Sequence, residues 1–201
     1  EGLSLKANFT FRMIGQVCLY LLVLTFISCA VKVEVDNEDL IPRKELFSNP
    51  ERSSPQLSPD GKLLAYLASD ESYPAIWVKT VGTDDDKLLV DSGSNQILSF
   101  FWQPNGERIV YQLRKVNDGS IWIYSIPGSG GKSVEYTPIP GIQTRIVAVN
   151  ADHPNRILYS MNNKAPQIHD VYVLDLTTRN SDQVVSNDIG AVNWIADHTL
   201  T

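Results

Sequence analysis

Apolar and polar positions in this chain are arranged in a unit that comes three times: a polar turn, then a short apolar run with a tyrosine at its centre. Ser58 to Leu67 reads Ser-Pro-Asp-Gly-Lys-Leu-Leu-Ala-Tyr-Leu, Gln103 to Leu113 reads Gln-Pro-Asn-Gly-Glu-Arg-Ile-Val-Tyr-Gln-Leu, and Ala151 to Met161 reads Ala-Asp-His-Pro-Asn-Arg-Ile-Leu-Tyr-Ser-Met. Tyr66 and Tyr111 are 45 positions apart and Tyr111 and Tyr159 are 48 apart. Four-stranded propeller blades repeat at this interval.

The same order of pieces recurs around each unit. Approach strands are predicted at Ser54 to Leu57, Ile97 to Trp102, Thr144 to Val149 and Ala191 to Ile195. The turns that follow use Pro, Asp, Asn and Gly, which supply the backbone angles of a reversal. Second strands, Leu63 to Ala68, Arg108 to Leu113 and Arg156 to Met161, are nearly continuously apolar at their centres, as expected of strands covered on both faces. Third strands centre on Ile76-Trp77-Val78, Ile121-Trp122-Ile123 and Val171-Tyr172-Val173, which aligns Trp77 with Trp122 at 45 positions and with Tyr172 50 further on. Polar hairpins at Gly82 to Asp86, Pro127 to Gly131 and Thr177 to Ser181 lead to outer strands Leu88 to Val90, Val134 to Thr137 and Gln183 to Ser186.

The pattern therefore predicts an all-β chain, an incomplete β-propeller of three four-stranded blades over about 54–91, 97–137 and 144–186, with a fourth starting at 191–201. Because propellers close with about 4–8 blades, the chain is expected to be a fragment of a longer protein. A β-sandwich is the rival fold, but it gives no reason for a turn and an aromatic residue to recur at a fixed interval.

The first 33 residues break the pattern. Met13 to Val31 carries no charge, Lys6 and Arg12 precede it and Lys32 closes it. A positive start, an apolar stretch and small residues at its end predict an export signal or, uncleaved, a membrane-anchoring helix. Phe26-Ile27-Ser28-Cys29 resembles a lipoprotein box, which makes Cys29 a candidate lipid-attachment site. No cysteine follows it, so no disulfide or thiolate metal site is expected beyond that point. Residues 34–53, with Asp36-Asn37-Glu38-Asp39, read as a solvated tether and propeller entry. The expected location is exported: cell envelope, periplasm or membrane-anchored.

Composition narrows the function. Of 201 residues 43% are hydrophobic, enough for a core, and 17 basic against 23 acidic residues give a net charge of −6. There is no Lys/Arg block to neutralise phosphates, which argues against nucleic acid as a partner.

Candidate chemistry is sparse. Gly-x-Ser-x-Gly, the nucleophile turn of α/β-hydrolases, does not occur. Gly128-Ser129-Gly130-Gly131 falls where the other repeats place a hairpin, and no helix pattern follows it to cradle a phosphate. His153, His169 and His198 are isolated in sequence. His169 beside Asp170 reads either as a proton-transfer pair or, preferably, as a strand-entry pair bonded locally. Asp84-Asp85-Asp86 lacks the spacing of a calcium loop and reads as a solvated turn. Trp77, Trp102, Trp122 and Trp194 sit at repeat positions, which favours packing between blades over substrate stacking. No catalytic, cofactor or metal residue is assigned.

With the repeats placed, a resemblance becomes specific. Ile41-Pro42-Arg43-Lys44-Glu45-Leu46-Phe47, then Asn49-Pro50-Glu51-Arg52 and Ser54 to Gly61, resemble the propeller entry of prolyl oligopeptidase-family serine peptidases, nearest to the acylaminoacyl-peptidase and dipeptidyl-peptidase-like branch. Phe101-Trp102 is similar to the second-blade approach strand of those proteins. Gly141 to Val149 and Gln167 to Tyr172 resemble their third blade, and Trp194 to His198 their fourth. Asn117-Asp118-Gly119-Ser120 departs from the acidic stretch relatives often carry there, so no role is carried over to that loop.

The resemblance implies that the catalytic Ser, Asp and His belong to a C-terminal α/β-hydrolase domain, none of whose triad positions lies in these residues. It implies no cofactor. The expected partners are that hydrolase domain, short peptides reaching it past the propeller, and a membrane through the N-terminal segment. The competing expectation is a non-catalytic TolB-like envelope propeller that binds proteins.

Overall fold

The computed structural model describes residues 50–69 and 73–197, together with residues 41, 43 and 48. The chain divides into two units, Glu1–Ser48 and Asn49–Thr201, and every described strand lies in the second. The expected N-terminal apolar helix, Cys29, His198 and most of the tether lie outside the described residues.

Twelve strands form three four-stranded antiparallel sheets. Sheet 1 holds β1 (Arg52–Leu57), β2 (Leu63–Ser69), β3 (Pro74–Thr80) and β4 (Lys87–Val90); sheet 2 holds β5 (Gln96–Trp102), β6 (Arg108–Arg114), β7 (Ile121–Pro127) and β8 (Val134–Glu135). Sheet 3 holds β9 (Thr144–Val149), β10 (Arg156–Ala165), β11 (Ile168–Asp175) and β12 (Ser181–Val185). Strands are adjacent in chain order within every sheet, so each repeat is one meander.

The second strands are two-faced, as their unbroken apolar runs predict. On β6, Ile109, Tyr111 and Leu113 pack toward sheet 1, while Val110 packs with Ile157, Tyr159 and Leu174 of sheet 3. Successive residues of a strand point to opposite faces, so sheet 2 is buried on both sides and the sheets stack face to face. In sheets 2 and 3 the face bearing the central tyrosine is turned toward the sheet before it.

The three central tyrosines share one job. Each reaches across the third strand to the residue that opens the fourth. The Tyr66 hydroxyl donates to Asp86, the Tyr111 hydroxyl donates to Ser133 Oγ at 2.9 Å, and the Tyr159 hydroxyl is hydrogen-bonded to Ser181 Oγ at 2.6 Å. The hydroxyl thus ties three strands of a blade together.

Register corrects one alignment drawn from the sequence. Tyr66 lies opposite Trp77 and Tyr159 opposite Tyr172, but Tyr111 lies opposite Tyr124, with Trp122 opposite Leu113. Tyr124, not Trp122, is the equivalent of Trp77, and its ring stacks on Tyr111 with centroids 5.2 Å apart. The 45-residue spacing of the two tryptophans arises because the hairpin around Asn117 to Ser120 moves the pairing by one step on the same face.

Two strand expectations also change. The outer strand of sheet 2 stops at Glu135 rather than Thr137: the Tyr136 N–H still donates to the Ile123 carbonyl at 2.9 Å, but the Ile123 N–H donates to Thr137 Oγ1 at 2.8 Å, a side chain in place of the backbone acceptor. Residues 191–195 carry no strand. No described strand pairs with them; Asn187 grips Ala191 through bonds of 2.8 and 2.7 Å, and Trp194 Nε1 donates to the His169 carbonyl at 2.9 Å. That segment lies against sheet 3 through side chains.

Candidate functional site

The sequence candidates separate once placed. His169 and Asp170 are neighbours on β11 and so project to opposite faces of sheet 3; they do not form a proton-transfer pair. Asp170 is wholly buried, accepts the Asn187 N–H at 2.7 Å and pairs with Lys164 Nζ at 2.9 Å. Burial by itself would raise its pKa, but the Asn187 N–H and Lys164 outweigh burial and hold the carboxyl below its ordinary value. His169 is also buried, and burial, with the charge of Arg145 second, holds its pKa below the ordinary imidazole value.

The acidic triplet is divided among three turn contacts. Asp84 meets Lys79 at 3.5 Å, Asp85 accepts from Thr80 and Thr83, and Asp86 takes the Tyr66 hydroxyl and lies 3.3 Å from Arg52. Burial, with the Asp86 carboxylate second, pushes the Tyr66 phenol up to about 12. Among the described residues no group of three His, Cys, Asp or Glu is placed to hold a metal ion.

Gly128 to Gly131 form the hairpin between β7 and β8, and Gly128 has a packing reason. A Cβ there would lie 2.5 Å from Trp102 Cζ3, so the indole occupies the space a side chain would need. Trp102 in turn donates Nε1–H to the Gln56 carbonyl at 3.2 Å, joining sheets 1 and 2. Trp102 and Trp122 both belong to the core between those sheets, and Trp122 Nε1 donates to the Ile139 carbonyl at 3.0 Å.

What sequence reading missed is a polar cleft between sheets 2 and 3, at the end where the first-to-second and third-to-fourth strand turns gather. Its volume is about 230 Å³, and Gln103, Glu107, Arg108, Asn155 and Arg179 line it. Gln103 is 2% exposed. Its Nε2 spends both hydrogens, on the Pro154 carbonyl at 2.9 Å and on Asn155 Oδ1 at 2.6 Å, which orients the amide; its Oε1 has no partner in the protein.

Arg108 is half-buried and clamped along one edge, Nε to Ser125 Oγ at 2.7 Å and Nη2 to the Ser125 carbonyl at 3.2 Å. Its Nη1 and the whole Arg179 guanidinium form no ion pair or hydrogen bond with described residues. Arg179 also has a left-handed backbone, φ 65°, where the corresponding hairpins of the first two sheets use Gly82 and Gly130. A non-glycine residue there costs on the order of 1 kcal/mol. The one available sequence signal was a hairpin without glycine, Thr177-Thr178-Arg179-Asn180.

A second depression, about 440 Å³ and apolar, lies on the outer face of sheet 3 between Val147, Leu158, Val171, Val185, Trp194 and Ile195.

Comparison with known proteins covers up to 81% of the chain. No family model matches it. It is 30% identical over 164 residues to dipeptidyl aminopeptidase BIII of Pseudoxanthomonas mexicana, a match that covers 81% of this chain and 24% of that protein. It is 25% identical over 157 residues to dipeptidyl peptidase family member 6 of Caenorhabditis elegans, covering 74% of this chain and 21% of that one. The chain thus spans about a quarter of the length of these relatives. Among solved structures, Pyrococcus horikoshii acylaminoacyl peptidase superposes with a TM-score of 0.50 at 17% identity, over 69% of this chain and 26% of that one.

Proposed function

Starting from a chain that is homologous to the propeller region of prolyl oligopeptidase-family peptidases, we propose that it is the substrate-gating propeller portion of an exported serine peptidase that cleaves short peptides. The observation that carries this reading is the 30% identity to a dipeptidyl aminopeptidase across 81% of the chain, in a chain whose described residues fold into three four-stranded sheets.

In this reading the chemistry belongs to an α/β-hydrolase domain that is not part of these residues. The sheets supply a wall. Stacked sheets with cores between them are rigid, sheet 2 burying apolar area against both of its neighbours, and a rigid wall admits substrates by size. The uncharged segment Met13 to Val31 supports export, and acylation at Cys29 is one route to the membrane.

The test is the coding sequence downstream of residue 201. Several hundred further in-frame codons that include Gly-x-Ser-x-Gly support the peptidase; a stop after about three more blades overturns it in favour of a TolB-like binding propeller. The chain alone is expected to hydrolyse no dipeptidyl substrate and to take no label from a serine-directed fluorophosphonate. For the N-terminus, lipid labelling in a bacterial host is expected to vanish in Cys29→Ala, and unchanged labelling removes the acylation reading.

A further inference from the structure

We propose that the cleft between sheets 2 and 3 is a binding site for a small ligand that carries a carboxylate beside an N–H donor, the free C-terminus of a short peptide being the simplest such group. This rests on the cleft itself and holds whether or not a hydrolase domain follows.

Three features of the cleft select that chemistry. First, Arg108 and Arg179 line one cavity with donors unused. Two guanidiniums facing a shared space favour a planar anion that accepts several hydrogen bonds, which a carboxylate does. Arg108 is held by Ser125 and so presents its free edge in a fixed direction, with little freedom left to lose on binding.

Second, Gln103 sets a buried acceptor in the same wall. Its amide is locked by the Pro154 carbonyl and Asn155, so the unpartnered atom is Oε1, an acceptor, and it calls for a donor. Buried polar atoms without a partner are rare, and a ligand N–H answers this one. A sulfate ion, which has no hydrogen to donate, would satisfy the arginines and leave Oε1 unsatisfied. The terminal residue of a peptide carries its amide N–H on the same carbon that bears the carboxylate, so one residue serves both.

Third, Arg179 holds a left-handed backbone, a conformation that the third-to-fourth strand hairpins of the first two sheets give only to glycines. Glycine would relax that turn at no steric loss. The strain is therefore kept for the guanidinium and its place at the cleft. Exposed Glu107 on the rim leaves the site only modestly cationic, which suits a monoanion over a multiply charged ligand. The cavity of about 230 Å³ limits the enclosed part to one or two residues.

The experiment uses the full chain, ¹⁵N-labelled, titrated with N-acetyl-glycyl-alanine, with the same peptide as its C-terminal amide, and with inorganic phosphate, each up to about 10 mM, where millimolar affinities are measurable. Saturable shifts at Gln103, Asn155 and Arg179 with the carboxylate peptide, and at least about tenfold weaker binding of the amide, are expected. Arg179→Gly separates binding from folding: it removes the guanidinium and relieves the turn, so Tm holds or rises while the peptide affinity drops at least about tenfold. The proposal is overturned if the carboxylate peptide causes no shifts at these residues, if the amide binds as well, if phosphate binds as tightly as the peptide, or if Arg179→Gly leaves the affinity unchanged.

Discussion

Gly128→Ala tests how sheets 1 and 2 are held together, because two effects of opposite sign meet there. Gly128 lies outside the left-handed region, so alanine can take its backbone angles. By chain entropy alone the substitution would stabilise the fold by about 0.4–1 kcal/mol. The built Cβ, however, sits 2.5 Å from Cζ3 and 2.8 Å from Cη2 of Trp102. Trp102 is 7% exposed and tethered through Nε1 to Gln56, so it cannot swing away without breaking that bond and opening the core. Overpacking of this kind costs about 1–3 kcal/mol, and it exceeds the entropic gain.

The expected outcome is a net loss of about 1–2 kcal/mol, read as a lower urea midpoint with unchanged slope and a Tm lower by about 2–8 °C at about 2–4 °C per kcal/mol. The cause is checked by repeating the substitution in Trp102→Phe, whose smaller ring vacates the contested space. There the penalty of Gly128→Ala should shrink by at least about 1 kcal/mol. If the penalty is the same in both backgrounds within about 0.5 kcal/mol, or if Gly128→Ala is neutral, the clash does not govern this position and the reasoning is wrong.

Tyr111→Phe and Tyr159→Phe each remove one hydroxyl tie, to Ser133 and Ser181, and are expected to cost about 1 kcal/mol each in urea unfolding; a variant as stable as the parent would deny the tie its role. The His169 pKa lies below its unfolded value, so its contribution is complete above about pH 6.5 and declines on acidification as the unfolded chain takes up the proton first. Unfolding midpoints between pH 7 and pH 5 are expected to fall in the parent and to lose that component in His169→Gln. The Asp170 carboxyl is likewise depressed, so its contribution is present above about pH 3.9 and disappears as pH falls through its lower folded value; Asp170→Asn should be less stable at pH 7 and show a flatter acid limb, and an unchanged acid limb would refute this.

Much of the fold is legible in the chain because its information is local. A turn with Pro, Asp or Asn and Gly reverses the backbone wherever it stands, and an apolar run with a central tyrosine makes a strand buried on both sides. Three copies of that unit at intervals of 45 and 48 positions locate three sheets, and Arg156 to Met161 needed only to be lengthened to Ala165. Where the reading failed, the deciding partner was distant. Residues 191–195 have strand-like residues, but a strand is completed by a ladder and no described strand supplies one. Trp122 looked equivalent to Trp77 because spacing counts residues, whereas equivalence depends on which residues face each other across the hairpin.

The cleft was invisible for the same reason. Gln103 and Asn155 are 52 positions apart and join through a 2.6 Å bond, and Arg108 and Arg179 come from different sheets. No local pattern marks residues as neighbours when their meeting depends on how one sheet stacks on the next. The sequence by itself determined the repeating unit, the strands and the absence of a nucleophile turn, since propensity, periodicity and turn chemistry act within a few residues. Only the tertiary structure decided the tyrosine ties, the place Trp102 takes over Gly128 and the two arginines with unused donors beside a buried acceptor, since stacking two-faced sheets fixes which side chains from separate blades share one space.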